Sequence, residues 1–137
     1  MADCWNRDYR QEVIRFLSPV TGPIVAEYLY NEDGSVCIEQ LDGNPDLITF
    51  LDKSKVSRFD FHLYVRTNGR DSASRKKAVD TLMAAANKCE KEIPFPGAKM
   101  TLVEFPKLFN RNMSGNEEYR ARFALYFRTE GLQEEEA

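Results

Sequence analysis

The chain has 137 residues, 42% of them hydrophobic, with nine Phe and a formal charge of −3. That length suits one domain with an adequate core. So mild a charge argues against binding nucleic acid by bulk attraction. There is no run of about twenty apolar residues, so no membrane-spanning helix is expected. Residues 1–7 lack a basic-then-apolar leader, and expression in the cytosol is the expectation. Cys4, Cys37 and Cys89 are odd in number and far apart, which fits neither a disulfide framework nor a zinc site. Cys37 and Cys89 lie in apolar patterns and read as buried, reduced thiols.

Residues 4–17 read as a first helix, capped by Asp3 and ended by Ser18-Pro19, with Trp5, Tyr9, Val13, Phe16 and Leu17 on its apolar side. A hairpin is expected next. Residues 24–30 form one strand, residues 35–41 the other, and Asn31-Glu32-Asp33-Gly34 supplies a left-handed turn. Residues 42–46 read as a loop and residues 47–51 as a short strand. In residues 58–67 the apolar Phe59, Phe61, Leu63 and Val65 alternate with Arg58, Asp60, His62, Tyr64 and Arg66, as in a strand with one buried face. The pattern leaves open whether residues 47–51 and 58–67 are one bent strand or a hairpin.

Past Gly69 the period changes. Val79, Leu82, Met83, Ala86, Cys89 and Ile93 recur at steps of three and four, marking a helix over residues 73–92 with Asp71 or Ser72 as its cap. Pro94 forbids its continuation. Residues 99–105 read as a strand ended by Pro106, residues 107–118 as a long polar loop, and residues 119–129 as the last strand. In that strand Tyr119, Ala121, Phe123, Leu125 and Phe127 share one face, and Arg120, Arg122, Tyr126 and Arg128 the other. The expected fold is α+β: a mainly antiparallel sheet of four to six strands with two helices on one face, in the order α-β-β-(β)-β-α-β-β. Residues 1–130 form a single domain, and residues 131–137 an acidic, disordered tail.

No catalytic or cofactor-binding constellation is evident. His62 is the sole histidine, which fits a surface or interface residue better than a metal site or a Cys–His dyad. No glycine-rich phosphate loop is present. The informative feature is the polar side of the sheet. There Arg58, His62, Tyr64 and Arg66 match Arg120, Arg122, Tyr126 and Arg128 on another strand. Three readings fit it: a solvated face of cross-strand ion pairs, a protein interface, or a platform for RNA or another ligand. Asp60, Glu104, Glu27 and Glu39 would neutralise much of it, so nucleic acid is the weakest reading. An interface would use Arg58, Arg66, Arg120, Arg122 and Arg128, with Glu32 and Asp33 at the hairpin tip as their acidic counterparts.

Leu47-Ile48-Thr49-Phe50-Leu51-Asp52-Lys53-Ser54-Lys55, then Phe59-Asp60-Phe61, then Ser72 through Ala86, and finally Glu118-Tyr119-Arg120-Ala121-Arg122-Phe123 resemble one known group. They look like the tail terminator or minor capsid proteins of long-tailed bacteriophages and prophages of Gram-positive bacteria. The likeness runs over residues 4–130 in pattern and order, and departs where Lys53 replaces a Gly. It implies a structural virion protein made in the bacterial cytoplasm and placed at the head–tail junction. Copies would close a ring, commonly a hexamer, that caps the tail tube. Its partners would be further copies of itself, the major tail-tube protein and a head-completion protein. The resemblance implies no cofactor and no catalysis. Exposed ion pairs are individually weak, so the free chain is expected to be monomeric when dilute.

Overall fold

A computed structural model describes residues 9–26, 33–41, 44–49, 54–111 and 115–129. The elements follow in the order α1 (Tyr9–Thr21), β1 (Ile24–Ala26), β2 (Val36–Gln40), β3 (Asn44–Thr49), β4 (Lys55–Thr67), α2 (Ser72–Lys91), β5 (Ala98–Arg111) and β6 (Glu117–Thr129). This is the expected α+β class. The strands form one mixed, mostly antiparallel sheet in the order β1-β2-β4-β6-β5, with β3 also paired to β4.

β4 is the spine. On one side it pairs with β6 along its whole length, from Lys55↔Thr129 to Thr67↔Glu117 without a slip. On the other side β3 takes its first half and β2 its second. Because side chains alternate, that register puts Phe59, Phe61, Leu63 and Val65 on the same face as Tyr119, Ala121, Phe123, Leu125 and Phe127. All nine are buried in one core with Val13, Phe16 and Leu17 of α1 and Ala78, Leu82, Ala85, Ala86 and Cys89 of α2. Each large apolar side chain so buried contributes about 1.5–3 kcal/mol as an upper limit. Tyr9 lies over Phe127 with ring centroids 4.2 Å apart. Asp71 caps α2 by accepting the Ser74 N–H at 2.8 Å.

Several boundaries differ from the sequence reading. α1 does not stop at Ser18-Pro19 but runs to Thr21, where the Gly22 N–H donates to the Ser18 carbonyl at 2.8 Å. Proline here forfeits a single bond in the last turn, and the Ser18 hydroxyl covers the Ile14 carbonyl at 2.6 Å. Asp3, Cys4 and Trp5 lie outside the described residues. The described residues do not show the expected hairpin across Asp33-Gly34: β1 pairs with β2 in parallel, Ile24↔Val36 to Ala26↔Ile38, and residues 27–32 lie outside the described residues. The turn is instead fastened to the end of β4. The Gly34 N–H donates to Arg66 O at 2.7 Å, and the Arg66 N–H donates to Ser35 O at 3.0 Å.

β3 begins at Asn44, inside the expected loop, and forms a hairpin with β4 (Ile48↔Val56) rather than one bent strand. Ile93 is exposed, because α2 ends at Lys91 before it can join the stripe.

The largest difference is β5. It passes through Pro106 to Arg111, so most of the expected loop is strand. β5 is an edge strand, where a missing N–H can face away from the partner, and it is bulged. Its register against β6 slips between Leu102 and Glu104, between Glu104 and Lys107, and between Leu108 and Asn110. A bulge inserts an unpaired residue and can absorb a proline without breaking the strand.

Leu82 has no exposed surface and sits where α2 meets the sheet. Leu82→Ala should cost about 2–5 kcal/mol. Leu82→Asp should abolish folding, since an unpaired carboxylate would be buried. Urea denaturation followed by circular dichroism measures both, and an Asp variant as stable as the parent would refute this packing.

Candidate functional site

The β4–β6 register also lines up the face turned away from the helices. There Arg58 stands opposite Tyr126, His62 opposite Arg122, Tyr64 opposite Arg120, and Arg66 opposite Glu118. Directly opposed residues are close enough to interact, and here they form three carboxylate-centred nodes.

Asp60 is the first node, its side chain only 5% exposed. Arg58 grips it with two hydrogen bonds of 2.7 and 3.0 Å. Arg122 adds Nε at 2.8 Å and Nη2 at 2.6 Å to the same Oδ2. Its opposite number, Ala124, leaves room for both guanidinium groups to converge. Burial alone would raise the Asp60 pKa, but the bonds from Arg58 and Arg122 outweigh it and hold the carboxyl below its usual range.

Glu39 of β2 is the second node. The Tyr64 hydroxyl donates to its Oε1 at 2.6 Å, and His62 Nδ1 lies 3.2 Å from the same oxygen. The Tyr64 bond lowers the Glu39 pKa against a smaller effect of burial, with help from His62. Burial and the Glu39 carboxylate raise that of Tyr64. His62 is 8% exposed, a buried member of this network rather than a surface residue. Cys37 stands opposite Tyr64 on the same face, with its thiol directed at the Ile38 carbonyl at 3.7 Å.

Glu118 is the third node and accepts from Arg66 Nη2 at 2.8 Å. Arg128 reaches the Ser54 hydroxyl at 2.8 Å.

The residues expected to form an interface therefore divide. Arg58, Arg66 and Arg122 hold carboxylates within the subunit, and Arg128 holds Ser54. The Asp33 carboxylate accepts the Asn68 N–H at 2.9 Å and so belongs to a pinned turn, not a projecting tip. Glu32 lies outside the described residues. Arg120 is different: among the described residues it forms no direct ion pair, and acts on Glu39 only through space. Its Nη1 reaches the Tyr64 hydroxyl at 3.5 Å, and its guanidinium lies 4.2 Å from the centroid of the Phe109 ring.

Phe109 introduces a feature the sequence reading missed. The outer half of β5 exposes Val103, Phe105, Leu108 and Phe109, with Phe105 72% exposed. Val103 and Phe109 each sit where a register slip inserts a residue, and Phe105 stands beside Pro106 in the slip between Glu104 and Lys107. At each slip the strand carries one residue more than its partner, and that extra residue is left without a position opposite β6. The signal present in the sequence was the apolar content on either side of Pro106, which the proline masked.

On the helix-covered face, at the end of the sheet beyond the core, Glu117 is wholly buried. Arg75 from the first turn of α2 donates to it twice at 3.2 Å, Arg111 at 2.8 Å and the Tyr119 hydroxyl at 2.9 Å. Burial pushes its pKa up, yet these three partners together bring it below the usual range. The cluster fastens α2, the end of β5 and the start of β6 to one another. Among the described residues no three His, Cys, Asp or Glu side chains group as a metal site requires. No described helix is long and apolar enough to cross a membrane.

Asp60 and Glu117 give the fold a pH dependence of definite sign. Both are lowered on folding, so their contribution is present above the ordinary carboxylate values of 3.8 and 4.5. It is lost as pH falls below those values towards the lower folded ones. Glu117→Gln should reduce stability by about 1–3 kcal/mol at neutral pH and flatten the acid limb of the stability curve. Thermal melts between neutral and acid pH check this, and an acid limb unchanged by the substitution would contradict it.

Neither a family model nor a curated protein matches the chain, so any function has to be inferred from this geometry and from the sequence pattern.

Proposed function

We propose that the chain is a structural virion protein, a tail terminator or minor capsid component of a long-tailed bacteriophage or prophage. Copies close into a ring that caps the tail tube and faces the head connector. The observation that carries the reading is the outer half of β5, where four large apolar side chains stand exposed on a sheet edge. Several large apolar side chains left exposed along one strand of a small domain favour contact with another macromolecule. The resemblance in residue pattern supplies the class of partner: further copies, the major tail-tube protein and a head-completion protein. The protein acts at the head–tail junction after synthesis in the bacterial cytoplasm, without cofactor or catalytic step.

A platform for RNA is less well supported. Phosphates would have to displace Asp60 and Glu118 from Arg58, Arg66 and Arg122, which are already charge-paired. A contact surface on β5 has no such competition.

Inactivating the gene in its phage or prophage should give heads and tails that fail to join, and supplying the chain in trans should restore infectious particles. Electron microscopy and plaque counts read the result. Normal virions from the inactivated strain would exclude the role.

A further inference from the structure

The exposed edge of β5 is poorly made for ordinary strand addition. Three register slips and Pro106 interrupt the row of N–H and C=O groups that a neighbouring strand would need. An occupant must therefore be held by side chains. The surface offers a basic pair on facing strands, Lys107 opposite Arg120, with Phe109 against Arg120 and the exposed Phe105 two residues before Lys107 in the same strand. Among the described residues neither base is in salt-bridge contact with a carboxylate, and Glu39 acts on Arg120 only at longer range. The complementary ligand is a short segment carrying several carboxylates and one apolar side chain. The chain contains such a segment outside the described residues: Glu130-Gly131-Leu132-Gln133-Glu134-Glu135-Glu136-Ala137.

Its own subunit cannot use it there. β6 ends at Thr129, about nine residues beyond Arg120, or roughly 30 Å at the rise of a strand. A segment returning along the sheet needs about two residues to reverse, and the five left up to Glu136 span at most roughly 17 Å. It falls short by several residues, whereas the corresponding segment of another copy is under no such limit.

We propose that residues 130–137 of one copy dock on the bulged edge of β5 in the next, with Leu132 against Phe105 and Phe109 and Glu134–Glu136 facing Lys107 and Arg120. The contact is heterologous: each copy offers a segment at one place and receives one at another, the arrangement that propagates into a ring or filament. It rests on the assembly reading above only in requiring a second copy, and needs no virion.

A charge swap in the full chain tests it. Sedimentation velocity over a concentration series should show association that weakens with salt. The triple change Glu134→Lys, Glu135→Lys, Glu136→Lys should weaken it by about tenfold or more, as several modest exposed pairs lost together would. Lys107→Glu with Arg120→Glu should do the same. Mixing the two variants should restore association, because each then supplies the surface the other lacks. Phe105→Ser, at a mostly exposed position, should weaken association without altering the circular dichroism spectrum. A fluorescent synthetic peptide of residues 130–137 should bind the parent chain and not the Lys107→Glu, Arg120→Glu variant. Association unaffected by either swap, or no self-association together with no peptide binding, overturns the proposal. Failure of the phage experiment with an intact swap would remove the virion role and leave this contact standing.

Discussion

Everything in this domain depends on the uninterrupted ladder between β4 and β6. A strand's side chains alternate with a period of two, so a single slip in that ladder would exchange its two faces. With no slip from Lys55↔Thr129 to Thr67↔Glu117, both strands commit the same residues to the helices and the same residues to the other side. The stacked pairs Phe59–Phe127 and Phe61–Phe123, with centroids 5.5 and 5.7 Å apart, follow directly. So does the convergence of Arg58 and Arg122 on Asp60. The oily face and the ionic face are two results of one register.

The ionic face is organised to be self-sufficient. Each inner carboxylate is approached by donors from its own or a neighbouring strand, and each is shifted toward the ionised form despite partial burial. Such a lattice gains little net energy over a well-packed apolar one, since desolvation consumes much of the attraction. What it provides is definition: a shifted register would leave Asp60 buried without its guanidinium groups, a state costlier than the native one is favourable. Specificity of pairing is a sounder role for these residues than generic adhesion.

Much of this architecture was legible in the sequence because local signals agreed with one another. The alternation in Phe59–Val65 and Tyr119–Phe127, the stripe through Leu82 and Ala86, and the Asp71 cap all point to the elements that form. The misreadings share a cause. Pro19, Pro106 and Asp33-Gly34 are local punctuation whose effect was decided by tertiary position. Pro19 falls in a last turn where few bonds remain to break, Pro106 on an edge that tolerates a bulge, and Gly34 in a turn satisfied by β4 rather than β1. The buried Glu117 cluster was invisible for a different reason. Its partner Arg75 comes from a distant point of the chain, and Arg111 reaches it only because β5 continues past Pro106, so no local pattern announces their meeting. The exposed apolar edge could not be foreseen because bulges, not alternation, set which way its side chains point.

The thiol of Cys89 has a practical consequence. It lies inside the core, and burial pushes its pKa up to about 12. Thiolate is the reactive form, and an alkylating reagent can reach it only when α2 lifts from the sheet. The rate at which Cys89 is alkylated under native conditions is therefore a clock for that excursion, reporting the opening of one helix without unfolding of the whole. The domain carries a natural reporter of its own local breathing, placed where α1, α2 and the sheet meet.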